Sequence, residues 1–217
     1  MSARKSALVN GQFYHLYNRG SDKRDIFLQS RDYKRFLQTF YYYQFLGPKP
    51  RFSKFAKSDI QLFKPDPNNR LVEIICFCLM PNHFHFLVKQ LKDNGISIFI
   101  SQLSNSYTKY FNTKYPRVGP LLQGAFKETL IESDEQLVHV SRYIHLNPIV
   151  SGLTKSLNNY QWSSYLEYIN NLEKFCSHKE ILNFFSSPQK YQEFVEDQID
   201  YGTTLEILKH RSIDLDE

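Results

Sequence analysis

Hydrophobic positions along the chain follow two periods, and the switches between them mark out its elements. Residues 12–18, Gln-Phe-Tyr-His-Leu-Tyr-Asn, alternate as a strand does, and Arg19-Gly20-Ser21-Asp22 ends that strand in a turn. A helical period runs from about Arg31 to Leu46, with Ser30 as N-cap, Tyr33, Phe36, Leu37 and Phe40 as its stripe, and Gly47-Pro48 as its stop. Two strands, over about 72–79 and 83–90, flank a Pro-Asn turn. After Gly95 the helical period returns as far as about Asn112, on Ile96, Phe99, Ile100, Leu103, Tyr107, Tyr110 and Phe111. Leu121 to Ile131 reads as another strand. Ser133-Asp134-Glu135-Gln136 is a capping box that opens a third helix, and Pro148 predicts its end near Asn147.

Strand, helix, strand, strand, helix, strand is the order of an α+β fold, a ferredoxin-like or RRM-like sandwich with a central antiparallel sheet. One sheet face takes the helices, and the other is open to a ligand or closed by the third helix. Past Gly152 the chain carries Tyr160-Gln161-Trp162-Ser163-Ser164-Tyr165 and then mostly helical, increasingly acidic segments. The expected organisation is a domain over 1–155 and a helical C-terminal extension over 156–217.

Alternation in the strand after Asn82 sets His83 and His85 side by side on one face, with Phe84 and Phe86 on the other. Two neutral imidazoles on a rigid sheet suit a divalent metal; the plainer reading is a half-exposed surface pair. On the third helix His139, Tyr143 and Asn147 share a face at i, i+4 and i+8, beside an apolar stripe of Leu137, Val140 and Ile144. If that helix packs over the histidines, Asn147 offers an oxygen as third ligand and Tyr143 a phenol beside the metal. His139 is an auxiliary candidate to orient the tyrosine or a phosphate, or else a surface residue. His145 lies on a different helix face, Trp162 reads as core, and His178 and His210 read as surface.

Charge changes the picture. The net +5 hides eight acids against two bases over residues 191–217, so that residues 1–190 carry +11. A body that basic favours a polyanion such as nucleic acid. Residues 48–70 break every period with four prolines, six Lys or Arg, and Phe52, Phe55 and Phe63 among the charges. Cations interleaved with aromatics suit single-stranded nucleic acid; the same stretch also reads as a solvated linker whose phenylalanines tuck against the body. Lys49, Arg51, Lys54 and Lys57 in this loop, with Arg19, Lys127 and Arg142 outside it, are the candidate DNA-binding residues. No apolar run approaches the ~20 residues of a membrane span, the start lacks a signal peptide's apolar segment, and three cysteines make no disulfide framework, so a cytoplasmic protein is expected.

Taken together, these motifs resemble a known family. Met80-Pro81-Asn82-His83-Phe84-His85 and Arg142-Tyr143-Ile144-His145-Leu146-Asn147-Pro148 are similar to the HUH single-tyrosine transposases, and most similar to the bacterial REP-associated tyrosine transposases. Tyr14-His15-Leu16-Tyr17-Asn18-Arg19-Gly20 and the segment 160–165 belong to the same likeness, which covers roughly residues 10–168. The resemblance implies that His83 and His85 bind a divalent metal, Mg²⁺ or Mn²⁺, with Asn147 as the polar ligand where smaller relatives carry glutamine, and that Tyr143 is the nucleophile. The implied reaction cleaves single-stranded DNA near a hairpin, leaving a 5′-phosphotyrosine and a free 3′-OH. A tyrosine of pKa near 10 is a poor nucleophile until positive charge stabilises its phenolate. Monomer and homodimer both remain open.

Two rivals accompany this reading. With a four-residue loop from Leu79 to Asn82, Cys78 lies opposite His83 and Cys76 opposite His85, a Cys2His2 zinc set. The other rival is a nucleic-acid-binding module of the same fold without catalysis.

Overall fold

Pairing of the strands produces one four-stranded antiparallel sheet in the order β2-β3-β1-β4, with β1 Phe13–Arg19, β2 Val72–Met80, β3 His83–Gln90 and β4 Lys127–Ile131. The computed structural model describes residues 8–47, 52 and 64–201. The helices are α1 Ser30–Tyr43, α2 Gly95–Lys114, α3 Asp134–Val150, α4 Tyr165–Ile169, α5 Lys179–Leu182 and α6 Pro188–Glu196. The expected α+β sandwich with a central antiparallel sheet and a helical C-terminal part is thereby borne out. No helix among the described residues is long and apolar enough to cross a membrane.

The period-two alternation sorts the sheet into two faces. On one, Leu16, Phe77, Leu79, Phe84 and Phe86 are buried under α1 and α2, with Phe36 against Phe84 at 5.5 Å, Phe40 against Phe86 at 4.7 Å and Phe40 against Phe99 at 5.7 Å between ring centroids. On the other, α3 crosses β2 and β3. The C-terminal elements extend that cover. Leu79 N donates to Trp162 O at 2.9 Å and Ser164 N to Phe77 O at 3.0 Å, so residues 162–164 shield the outer edge of β2, which would otherwise invite foreign strands. Trp162, partly buried against the core, stacks on Tyr33 at 4.5 Å. His145 is fully buried, bonded through Nδ1 to the Tyr191 hydroxyl at 2.7 Å and through Nε2 to the Ser164 hydroxyl at 2.8 Å, and so ties α3 to α6 and to the edge segment.

Several local expectations are corrected. Helix α1 is capped by Gln29 rather than Ser30. Gln29 is extended, and Asp32 reaches back to the Gln29 and Leu28 amides at 3.0 and 3.1 Å. The same helix ends at Tyr43, because Leu46 N bonds Asn69 O at 2.7 Å instead of continuing the turn. Strand β4 begins only at Lys127; ahead of it Leu122 makes a single bridge to Gly20, and Gly124 adopts φ +64°. Helix α3 runs through Pro148 to Val150. Proline removes one N–H near the helix end, where the next turn still closes through Ser151 N to Asn147 O at 3.0 Å and Gly152 N to Ile149 O at 2.8 Å. Its cap is Ser133 as expected, but the Gln136 side chain accepts from Glu132 N. His178 is buried rather than on the surface, since Ser177 N bonds Ile74 O and brings the residue under the Tyr168 ring.

The turn between β2 and β3 is also tighter than the zinc reading requires. Pro81-Asn82 alone connects the strands, so Met80 pairs with His83 and Cys78 with His85, and an irregularity between Ile74 and Cys76 sets Cys76 against Leu87. The Cys2His2 pairing is not formed. Both thiols are fully buried, which pushes their pKa values up, and among the described residues no three His, Cys, Asp or Glu side chains are arranged to hold a metal.

Candidate active site

The turn that opens β3 is held from both sides. Pro81 O accepts Ile26 N at 2.8 Å and Phe27 N at 3.0 Å, and Asn82 O accepts Gly20 N at 2.8 Å. Gly20 is required at this close approach, because a Cβ there would collide with the Arg24 carbonyl oxygen. The Asn82 amide nitrogen donates to Lys23 O at 3.1 Å, which turns its Oδ1 toward His83 Nδ1 at 2.6 Å. An amide oxygen only accepts, so His83 carries its proton on Nδ1 and keeps the Nε2 lone pair for a ligand.

Residues directly opposite in an antiparallel pair share a face, so one row across the sheet reads His85, Tyr17, Lys127 and the next reads His83, Arg19. The His83 and His85 rings stand 5.0 Å apart at 88°. His15, on β1, was not singled out from sequence. Its Nε2 lies 2.9 Å from His85 Nδ1, and the two rings stack at 5.1 Å. The strand alternation of residues 12–18 put His15 and Tyr17 on one face; only the β1–β3 register sets that face beside His85.

Burial brings the His15 and His83 imidazoles down to about 4, the nearby Arg19 cation adding to the effect at His83. His85 is lowered well below its ordinary value by burial and by the other two rings. All three are therefore neutral near neutral pH, the form in which imidazole donates a lone pair.

Helix α3 delivers Tyr143 to this cluster. Its ring lies edge-on to His85 at 5.6 Å and to His15 at 5.9 Å, and the residue is 51% exposed, so solvent reaches it. One turn later Asn147 donates its amide nitrogen to Tyr143 O at 2.8 Å, and its Oδ1 accepts no hydrogen bond among the described residues. Neutral imidazole nitrogens and an amide oxygen are donor types suited to a divalent cation.

The remaining candidates divide. Lys127 lies over the Tyr17 ring at 5.9 Å and Arg19 pairs with His83, both exposed on the histidine face. His139 and Arg142 engage α6: the guanidinium sits 4.2 Å over the Phe194 ring, donates to Phe194 O at 3.4 Å and to His139 Nδ1 at 2.6 Å. Lys49, Arg51, Lys54 and Lys57 lie outside the described residues, as do Phe55, Phe63, His210 and the chain from 202 onward. Phe52 is buried beneath the Arg35 guanidinium at 4.1 Å, tucked against the body rather than offered to a base.

Residues 53–147 match the family model described as "Transposase IS200 like", a span that takes in His83, His85, Tyr143 and Asn147. A Haemophilus influenzae protein whose name assigns it to the REP-associated tyrosine transposases is 26% identical over 103 residues, 43% of this chain; the chain spans 58% of that relative's length. A solved structure of a REP-associated tyrosine transposase bound to a REP hairpin superposes with a TM-score of 0.59 at 16% identity, covering 82% of this chain and 91% of the other. At that identity the likeness is one of fold. The family model and the relative concern tyrosine and IS200-like transposases alike.

Proposed function

We propose that the protein is a metal-dependent nuclease and strand transferase acting on single-stranded DNA beside a hairpin, a reading supported by the match of residues 53–147 to the IS200-like transposase model. The observation that carries this reading is Tyr143, half exposed on α3 with its ring edge against His85 and His15. His83 and His85 through Nε2, with Asn147 through Oδ1, would hold the divalent ion. Bound there, it supplies Lewis-acid polarisation of a phosphodiester and stabilises charge on the departing oxygen.

Tyr143 Oη attacks phosphorus. The O–P bond forms as the P–O3′ bond breaks, and the phenol proton passes by way of water to the 3′ oxygen. The products are a 5′-phosphotyrosine and a free 3′-OH. Because one phosphate ester replaces another, a second 3′-OH reseals the strand without ATP. Lys127 and Arg19 lie on the same face and would neutralise flanking phosphates. The fold neighbour was solved with a REP hairpin, which supports a hairpin-flanked substrate.

The test incubates the protein with hairpin oligonucleotides labelled at either end, drawn from sequence flanking its gene, with Mg²⁺, Mn²⁺ or EDTA. A metal-dependent protein-linked product on the downstream fragment is expected, absent in Tyr143→Phe. A Tyr143→Phe protein that still forms the adduct refutes the assignment, and tight metal-independent binding without any adduct favours a non-catalytic module.

A further inference from the structure

We propose that His15 is a positioning residue, its Nε2 accepting the Nδ1–H of His85 so that His85 offers Nε2 to the metal while the His15 ring braces Tyr143. The proposal rests on the reading of His83 and His85 as metal ligands. The neighbouring histidine supplies the logic. His83 is fixed as the Nδ1–H tautomer by Asn82, whose own orientation is set by Lys23 O. Histidines two apart on one strand project side by side, so both converge on one ion most directly through the same nitrogen, Nε2.

Among the described residues, the partner at His85 Nδ1 is His15 Nε2 at 2.9 Å. That bond has two senses. If His15 donates, His85 takes its proton on Nε2 and is lost as a ligand at that atom. If His85 donates, its Nε2 lone pair is freed and its ring is locked. His15 Nε2 is engaged with His85 Nδ1, and the three histidines are not grouped as a three-ligand set among the described residues. Its stacking on His85 at 5.1 Å and 21° and its edge contact with Tyr143 at 5.9 Å place one side chain against both a metal ligand and the nucleophile. Metal-bound histidines commonly donate to a carboxylate or carbonyl. A neutral imidazole as acceptor brings no negative charge to a site that must receive phosphate, so the ion's full charge remains available to the DNA.

The experiment labels histidines with ¹⁵N in the full chain and reads each ring's tautomer by long-range ¹H–¹⁵N correlation without metal. Mn²⁺ affinity is then measured by calorimetry in wild type, His15→Gln, His15→Leu and Tyr143→Phe. Glutamine places an oxygen near the Nε2 position, whereas leucine fills the space without an acceptor. His85 is expected as Nδ1–H in wild type and in His15→Gln, and no longer uniformly so in His15→Leu. Mn²⁺ binding should weaken about 10–100-fold in His15→Leu and recover largely in His15→Gln, with melting temperatures confirming that each variant folds. Wild-type affinity in His15→Leu, or His85 protonated on Nε2 in wild type, overturns the proposal. Tyr143→Phe separates the two readings, because it should bind Mn²⁺ normally yet form no adduct. A wild-type protein that binds Mn²⁺ in a His15-dependent way but never forms an adduct removes the nuclease reading and keeps this one.

Discussion

The two faces of the sheet come from the same strands and obey opposite rules. Toward α1 and α2, β3 presents Phe84 and Phe86, which meet Phe36 and Phe40 in an aromatic layer without polar atoms. One residue along, the same strand presents His83 and His85, which meet Asn82, His15, Tyr17 and Tyr143. The first face is bound by non-directional burial that tolerates any well-filled shape. The second depends on which nitrogen bonds to which atom. A substitution on the first face should cost stability, and one on the second should cost chemistry.

The sharpest way to break that contrast is Tyr143→Phe, expected to abolish the covalent DNA adduct. Thermal stability should shift by no more than about 0.5 kcal/mol, as for an exposed site. Phe86→Ala tests the opposite face. Removing a fully buried ring from the aromatic layer should cost about 3–5 kcal/mol in urea unfolding, because the surrounding groups relax only partly into the cavity.

Smaller still, and conditional on pH, is the effect of Asp32, a buried carboxylate on the helical side. It receives Lys114 Nζ at 2.6 Å, the Tyr115 hydroxyl at 2.7 Å and the Tyr110 hydroxyl at 2.9 Å. Burial pushes its pKa up, but these bonds and the Leu28 amide outweigh burial and leave it below the ordinary value. A carboxyl depressed in the folded state contributes its full stability above the unfolded pKa of about 3.9 and loses it as pH falls through the folded value. Asp32→Asn should therefore destabilise by about 3 kcal/mol at pH 7. Its melting-temperature deficit relative to wild type should narrow below about pH 4, the buried histidines cancelling because both proteins carry them. A deficit constant from pH 6 to pH 3 would discard the ionic account.

The smallest expected change is Ser164→Ala, which removes the hydroxyl that bonds His145 Nε2 at 2.8 Å and accepts Phe77 N at 2.9 Å. About 1–3 kcal/mol should be lost, with adduct formation retained, since this contact fastens the C-terminal segment rather than the site.

Legibility followed the same division. The strand period placed His83 with His85, and the helix period placed Tyr143 with Asn147, because each pair lies within one element whose geometry repeats. His15 stayed hidden although its own strand was read correctly, since nothing local says which strand β1 will lie beside. The Pro-Asn turn between β2 and β3 was legible, but not its register: a four-residue loop and the observed two-residue Pro81-Asn82 turn both keep the cysteines and histidines on a common face, and they differ only in which residues meet. His178 read as surface because burial of an isolated polar side chain depends on what the C-terminal elements later cover.

Short-range chemistry thus dictated the elements, their buried stripes and the two candidate ligand motifs, since backbone period, caps and turns act over a few residues. Long-range pairing chose the register that joins His15 to His85, the closure of α3 over that face and the sealing of β2 by residues 162–164. Those contacts join residues far apart in the chain, Phe77 with Ser164 and His15 with Tyr143, and they form because burying the α3 stripe and the β2 edge together leaves less apolar surface and fewer unpaired amides in water than either alone.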